Sequence, residues 1–294
     1  MSSELYELPL LRDSLSYCYV EHAIIDRKDS AIEYIRQDGR VLVPVAALSV
    51  LMLGPGTSIS HAAIKVLAEN GCTVLWAGEG VTHCYAQGLG ETRKAYHLLR
   101  QAELLCHPET HEKVVRRMYL RRFPEGVPEG CSLIQLRGLE GARVKAAYAE
   151  TAHKFGVRWS GRQYNRGDWN DADPLNRALS AANALLNGIC HAAIISGGYS
   201  PALGFIHTGR QLSFVYDIAD LYKAEFTIPA AFEAFAAGEK GAESRTRALC
   251  RERFREGKLL QRILPDIDQI LEISVPSESM QGEDPASELW EELN

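Results

Sequence analysis

The sequence lacks the features that mark secreted, membrane-spanning and zinc-binding proteins. Its 294 residues contain no unbroken run of eighteen apolar residues, so no membrane-spanning helix is expected. Residues 1–7 hold no basic stretch followed by an apolar one, so no secretory signal is expected. The seven cysteines are scattered and never spaced as C-x-x-C, which predicts reduced thiols without disulfides or a zinc site. We therefore expect a cytoplasmic protein.

Basic residues are absent from the last part of the chain. Residues 266–294 contain nine acidic side chains and no Lys or Arg. The formal net charge of −6 would argue against a nucleic-acid partner, but without this segment 32 basic residues stand against 29 acidic ones. The rest of the chain is therefore mildly basic, and this asymmetry leaves DNA or RNA binding open.

The composition and periodicity predict an α+β protein. Hydrophobic residues make up 46% of the chain and charged residues 24%, which is typical of a globular protein with a core. Residues from about 14 to 86 show short apolar or alternating runs, including a hairpin signal at Asp38-Gly39. After Gly90 the apolar period becomes about 3.6. We expect a β-rich domain at 1–88, a larger all-α domain at 89–275 and an acidic, flexible tail at 276–294.

The helices expected in the second domain follow from this period and from capping residues. They lie at 92–106, 109–123, 139–155, 174–196, 213–223, 228–237, 243–256 and 258–273. A further helix is expected in the first domain after Ser58 or Ser60, ending near Gly71.

One histidine and three carboxylates form a candidate metal site. His207 follows a glycine turn, Asp217 and Asp220 share a helical face, and Glu140 lies between two glycines at the expected start of a helix. Oxygen donors with a single imidazole suit Mg²⁺ or Mn²⁺. Because the helix around Asp217 is otherwise apolar, we expect at least one of the aspartates to lie near a buried stripe and to need a partner.

Simpler interpretations of the same residues stay open at this point. Asp217 and Asp220 could form a solvated helix face, and His207 could be an ordinary loop or core histidine. Glu140 could be a first-turn glutamate that complements the helix dipole. Spacing along the chain does not establish that the three segments meet.

Three ordered motifs resemble one protein family. They are L-R-G-L-E-G-A-R-V at 136–144, Y-S-P-A-L-G-F-I-H-T-G at 199–209 and L-S-F-V-Y-D-I-A-D-L at 212–221. In their order, spacing and residue identities, these motifs resemble those of the CRISPR-associated integrases. This family supplies the larger protein of the spacer-acquisition pair in CRISPR antiviral defence. The resemblance extends from about Pro9 to Leu271. Within the family, the motif pattern resembles that of the subtype I-E branch.

This resemblance implies an architecture and a set of site residues. It implies a β-rich N-terminal domain that makes dimer and partner contacts, a helical catalytic domain, a homodimer, and a small dimeric companion protein that bridges two such dimers. The family's metal ligands fall on Glu140, His207 and Asp220. Asp217 falls on a second acidic position needed for activity, which we expect beside the ion rather than bound to it.

The activity implied is that of a metal-dependent DNA endonuclease and integrase. A 3′-hydroxyl of protospacer DNA attacks a phosphodiester at the leader-proximal repeat, and the ion stabilises the charge that develops on the phosphate. No nucleotide is consumed in this exchange, and no G-x-x-x-x-G-K-[ST] loop is present. Alternatives are a structure-specific nuclease acting on branched DNA and a non-catalytic DNA-binding scaffold.

The sequence departs from the family pattern at three positions around DNA. His22 stands where a relative has an aromatic side chain that brackets the end of the duplex. Asn187 stands where the family has a tyrosine near the active-site helix, and His83 stands at a position that is basic in the family. These differences concern the recognition of the DNA end and leave the metal residues intact.

Several basic and aromatic residues are candidates for DNA contacts. Arginine clusters occur at 116–122 and 245–262, and either could equally be a solvated helix face. Tyr164 and Trp169 lie in a polar loop, where they could stack on unpaired bases or anchor the loop to the core. The residues we predict to touch DNA are Arg137, Arg162, Tyr164, Arg210, Arg247 and Arg251.

Overall fold

A computed structural model describes residues 17–37, 39–81, 83–88, 95–123, 125–162 and 173–273. The strands in these ranges are β1 (Tyr17–Val20), β2 (Ile24–Lys28), β3 (Ala31–Arg36), β4 (Gly39–Pro44), β5 (Val50–Leu53), β6 (Ser58–Ile59), β7 (Thr73–Ala77) and β8 (Cys84–Gly88). The helices are α1 (His61–Glu69), α2 (Tyr96–Cys106), α3 (Pro108–Leu120), α4 (Leu133–Lys154), α5 (Pro174–Ser196), α6 (Ser213–Ala219), α7 (Ile228–Ala236), α8 (Ala242–Glu256) and α9 (Leu259–Leu271). The α+β class predicted from the sequence is confirmed.

The strands form two four-stranded sheets. The first has the order β1-β5-β7-β8, in which β1, β5 and β7 are parallel and β8 is antiparallel to β7. The second has the order β4-β3-β2-β6 and contains the hairpin between β3 and β4 that Asp38-Gly39 predicted. Asp38 itself lies outside the described residues. Ser60 caps α1 by accepting a hydrogen bond from the Ala63 amide, as expected.

The strands β1, β5 and β7 of the first sheet are covered on both faces. Because side chains alternate along a strand, Val50 and Met52 of β5 pack toward the helices, whereas Leu51 and Leu53 pack toward the second sheet and α1. The same alternation holds in β1 and β7. A continuous apolar run is what a strand covered on both faces requires, and the run ending at Leu53 has this form.

Helix α5 is the central element of the helical part. It packs against α6, α7, α8 and α9 and against β7, and its residues dominate the largest core cluster. By length and composition alone α5 could cross a bilayer, contrary to the expectation from unbroken apolar runs. However, 72% of the most apolar 18-residue stretch of α5 is buried inside the protein, as in the central helix of a globular core. The sheet and the helices therefore share one hydrophobic core.

One close backbone approach joins the sheet region to α5. A Cβ placed on Gly188 of α5 would lie 1.7 Å from the carbonyl oxygen of Val81, in the turn after β7. Only glycine allows this approach, which brings the turn directly onto the central helix.

Four elements differ most from the sequence expectation. Strands β2 and β6 were not predicted, since only Ile25 of the five β2 residues is buried and β6 has only two residues. Helix α6 ends at Ala219 and a π-helical turn follows at Lys223–Thr227, whereas one helix was expected over 213–223.

Helix α4 begins at Leu133 rather than near residue 139. Its start is a capping box in which Ser132 accepts from the Gln135 amide and Gln135 accepts from the Ser132 amide. The interpretation of Glu140 as a first-turn glutamate is therefore wrong, because Glu140 lies two turns into the helix.

Candidate active site

The carboxylate of Asp217 is the best-satisfied polar group of the site. It is completely buried on α6 and accepts hydrogen bonds from the backbone amides of Phe205 (2.6 Å), Ile206 (3.0 Å) and His207 (2.8 Å). Its Oδ1 also lies 2.7 Å from Nδ1 of His207. Four donors on one buried carboxylate exclude a solvated helix face for Asp217 and fix the loop that carries His207.

Local sequence explains why this loop folds onto α6. A Cβ on Gly204 would lie 2.3 Å from the carbonyl oxygen of His207, so the turn closes only with glycine there. Gly209, at φ +80°, ends the turn in the left-handed region. The three amides of 205–207 consequently point at one carboxylate, in the manner of an anion-binding nest.

Because Nδ1 of His207 donates its hydrogen bond to Asp217, the other ring nitrogen, Nε2, is left for a ligand. Nε2 lies 3.9 Å from Oδ2 of Asp220, and the imidazole is 43% exposed. The hydrogen bond to Asp217 raises the pKa of His207, burial opposes that rise, and the charge of Asp220 adds to it. Fixing one imidazole nitrogen by a carboxylate is the arrangement that orients histidine ligands in metal sites.

Asp220 is held from its other side by Lys223. The Nζ of Lys223 lies 2.5 Å from Oδ1 of Asp220, at the start of the π-helical turn Lys223–Thr227. A π-helical turn places successive side chains off the α-helical register and often occurs at functional sites. Here it follows directly on α6, after the carboxylate that faces His207.

Glu140 is buried on α4 and bound by two arginines. Arg122 Nη1 donates to Oε1 at 3.0 Å, and Arg143 donates from Nε to Oε2 at 2.8 Å and from Nη2 to Oε1 at 3.1 Å. Arg122, just beyond the end of α3, was named from the sequence only as a candidate phosphate contact in the 116–122 cluster, whereas it pairs with Glu140. Its burial, with only 4% of the side chain exposed, is a property of the fold rather than of the sequence pattern.

One face of α4 connects Glu140 to the other site residues. Leu136 lies one turn before Glu140 and belongs to a buried cluster on which Ile206, the neighbour of His207, packs. Tyr148 lies two turns after Glu140, and its pKa is raised by burial, with Arg162 opposing the rise and Asp220 adding to it. Residues four apart share a helix face, so Leu136, Glu140 and Tyr148 lie on one face of α4, and this face meets the cluster on which Ile206 of the His207 loop packs.

The described residues do not bring three His, Cys, Asp or Glu side chains into one closed metal-ligand group. His207 contacts both Asp217 and Asp220, whereas the Glu140 carboxylate is engaged by Arg122 and Arg143. Carboxylate oxygens with one imidazole nitrogen are nevertheless donors that suit a hard divalent cation. Nε2 of His207 lies 3.9 Å from the Asp220 carboxylate, so these two donors already face each other. The side chains here that could hold a divalent cation are those of His207, Asp220 and Glu140.

The arginines in the clusters at 116–122 and 245–262 divide into two groups. Seven of them are tied into the fold: Arg116 and Arg117 bind backbone carbonyls, Arg245 binds the end of α7, and Arg121, Arg122, Arg253 and Arg262 pair with carboxylates. Asp266 on α9 and Glu272 just after it were counted above in the acidic segment 266–294, and they pair with Arg121 and Arg117. These arginines stabilise the helical packing.

The second group consists of guanidinium groups that form no hydrogen bond or ion pair within the described ranges. Its members on α4, on the His207 loop and on α8 are Arg137, Arg210, Arg247, Arg251 and Arg255. Arg162 differs, because it donates to the backbone and side chain of Asn176 and to Ser180 on α5. Tyr164 and Trp169 lie outside the described residues.

Comparison with known proteins gives one consistent family. A model of the CRISPR associated protein Cas1 matches residues 118–246. The CRISPR-associated endonuclease Cas1 2 of Thermus thermophilus is 54% identical over 97% of this chain and 86% of that protein. The CRISPR-associated endonuclease Cas1 of Escherichia coli K12 is 41% identical over 89% of this chain and 86% of that protein. The crystal structure of a TtCas1–DNA complex has a TM-score of 0.81 and 55% identity, covering 90% of this chain and 99% of that one.

These matches place the molecule among the CRISPR-associated nucleases. The chain belongs to the Cas1 family, and the resemblance seen in the three sequence motifs is confirmed. Glu140, His207, Asp217 and Asp220 all lie inside the segment that the family model matches.

Proposed function

We propose that this protein is a metal-dependent DNA integrase of CRISPR adaptation. It joins the 3′-hydroxyl of protospacer DNA to a phosphodiester at the leader-proximal repeat by transesterification, with Mg²⁺ or Mn²⁺ as cofactor. The single observation that carries the proposal is the His207 imidazole, oriented by the buried Asp217 and facing Asp220. The relatives named as endonucleases and the TtCas1 chain solved with DNA support it.

Each site residue has a distinct task in this reaction. Asp217 is a positioning residue, because its oxygens are saturated by three backbone amides and His207 Nδ1. His207, Asp220 and Glu140 supply one nitrogen and two carboxylates. When bound there, the cation supplies Lewis acidity that polarises the scissile phosphate and offsets the charge gained in the transition state.

The unengaged arginines extend the proposal to the DNA. Arg137 lies one turn before Glu140 on α4, and Arg210 follows the His207 loop, so both flank the site from exposed positions. Arg247 and Arg251 share one face of α8. We assign these four to backbone phosphates and keep Arg162 and Tyr164 as predicted DNA contacts. The protein acts in the cytoplasm as a homodimer with a small dimeric companion, through its β-rich N-terminal domain.

The test is the joining of a short duplex with free 3′ ends to a repeat-carrying plasmid. Glu140→Ala, His207→Ala and Asp220→Ala should each abolish joining and leave DNA retention close to that of the wild type. Two control variants away from the site, Glu243→Ala and His153→Ala, should join DNA normally. Glu243 pairs with Arg177, and His153 is exposed at the end of α4.

The outcome separates the integrase from its alternatives. Joining that survives all three substitutions contradicts the proposed chemistry and favours a DNA-binding scaffold. Cleavage of branched DNA by a wild-type protein that never joins ends favours a structure-specific nuclease.

A further inference from the structure

The two arginines on Glu140 differ in how firmly they are held. The Arg122 side chain is 4% exposed, and its Nε and Nη2 have no hydrogen-bond partner within the described part of the chain. Its guanidinium lies 5.5 Å from the ring centroid of Tyr119. Glu140 is therefore its ion-pair partner, and separating the two would leave a buried charge unpaired, which is strongly unfavourable.

Arg143 is the more exposed of the two arginines on Glu140. Its side chain is 25% exposed, and its guanidinium lies 5.9 Å from the centroid of the Phe123 ring, near the surface. An arginine at this exposure is able to exchange a carboxylate for water or for phosphate, because the charge need not cross an apolar region. Of the two cations on Glu140, Arg143 is therefore the one that can leave, because Arg122 is buried.

The charge balance around Glu140 opposes a divalent cation. Two guanidinium groups face one carboxylate, which leaves one positive charge in excess, and Arg143 occupies both carboxylate oxygens with its fork. A cation binding to Glu140 in this state would meet net repulsion and blocked lone pairs. Arg143 must therefore leave at least one oxygen before Glu140 becomes a ligand.

We propose that Arg143 is a positioning residue that couples DNA binding to metal binding. In the free protein its guanidinium covers Glu140. On DNA it moves to a backbone phosphate, while Arg122 keeps the Glu140 carboxylate in place. The proposal rests on the proposed function, because it takes Glu140 as a metal ligand. By linkage, DNA and the cation then strengthen each other's binding through one side chain.

The test measures Mn²⁺ binding without turnover, from the free-ion signal in electron paramagnetic resonance. The duplex used has 3′-dideoxy ends, so that no strand is joined. With wild-type protein the duplex should tighten Mn²⁺ binding by about 5-fold or more, within the usual range of coupling between sites. Arg143→Gln should bind Mn²⁺ about 5-fold more tightly than wild type without DNA, and the duplex should add little.

The matched control is Arg177→Gln. Arg177 also pairs with a glutamate at a similar exposure, 27%, but lies away from Glu140. It should keep the wild-type Mn²⁺ affinity and the wild-type response to the duplex. Arg143→Met, which also removes the charge, replaces the glutamine variant if the latter does not fold.

Glu140→Gln separates the failure of this proposal from the failure of the proposed function. If Glu140→Gln binds Mn²⁺ as tightly as wild type, Glu140 is not a ligand and both proposals are wrong. If Glu140→Gln loses affinity but Arg143→Gln matches Arg177→Gln, the metal site stands and the coupling role of Arg143 is overturned.

Discussion

At the scale of single residues, Asp217 and Asp220 have opposite environments although they are three residues apart. Asp217 is fully buried with four donors, whereas Asp220 is partly exposed beside Lys223. The sequence could predict that one of them would be buried, because the helix around them is apolar. It could not predict which backbone amides would satisfy that carboxylate, since this depends on the closure of the turn at Gly204.

Asp217→Asn should separate these roles. An amide offers one acceptor oxygen and two donors to a nest of backbone N–H groups, so at least one buried donor is left unpaired, which costs roughly 1–3 kcal/mol. We expect a lower melting temperature and a loss of strand transfer of roughly 10–100-fold, as for other residues that orient metal ligands.

Asp220→Asn is the paired control for this prediction. It should lose strand transfer while keeping a melting temperature near that of wild type, because Asp220 accepts no backbone amide among the described residues. Equal destabilisation by the two substitutions would contradict the assignment of Asp217 as the structural partner of His207.

At the scale of elements, the largest departures of helix boundaries from the apolar period are the start of α4 and the end of α6. Of the 22 residues of α4 only Leu136, Glu140 and Ala152 are buried, so this helix has almost no apolar stripe from which its beginning could be predicted. The Ser132–Gln135 capping box was the available signal. The ion pair between Arg122 and Glu140 could not be predicted from the sequence either, because Arg122 is 18 residues away from Glu140 and occurs in a cluster of arginines.

Two glycines on α4 have no structural need to be glycine. A Cβ added at Gly138 or Gly141 meets nothing within 4 Å, and both positions are exposed. Gly138→Ala and Gly141→Ala should each raise the free energy of unfolding by about 0.5–1 kcal/mol, because alanine is the better helix former. Equilibrium denaturation measures this gain.

The control for this prediction is the glycine of α5. Gly188→Ala should destabilise the protein, because its Cβ would overlap the Val81 carbonyl. If the two α4 substitutions stabilise the protein but weaken DNA retention, the exposed face of α4 approaches the DNA closely. Destabilisation by the α4 substitutions would mean that this face packs against another chain or segment.

At the scale of the whole molecule, charge is distributed so that only some arginines are available to DNA. The logarithm of the DNA association constant should fall linearly with the logarithm of salt concentration, with a slope set by the number of phosphate contacts. Arg247→Ala and Arg251→Ala should each reduce that slope by about 0.9. Fluorescence anisotropy over a salt series measures it.

Arg245→Ala serves as the control on the same helix. Its guanidinium binds the carbonyl oxygens of Ala234, Gly238 and Lys240, so its loss should lower stability and leave the salt slope unchanged. An unchanged slope in both Arg247→Ala and Arg251→Ala would remove α8 from the DNA surface.

The contact between Gly188 and Val81 bears on how this protein can be recombined with its relatives. The turn after β7 and the central helix touch through backbone atoms, so neither side tolerates an independent shift. A chimera that exchanges the β-rich part at a boundary near residue 88 would join two halves that had not been matched at this seam. Modular exchange between family members should therefore succeed only when the Val81 turn and α5 come from the same parent.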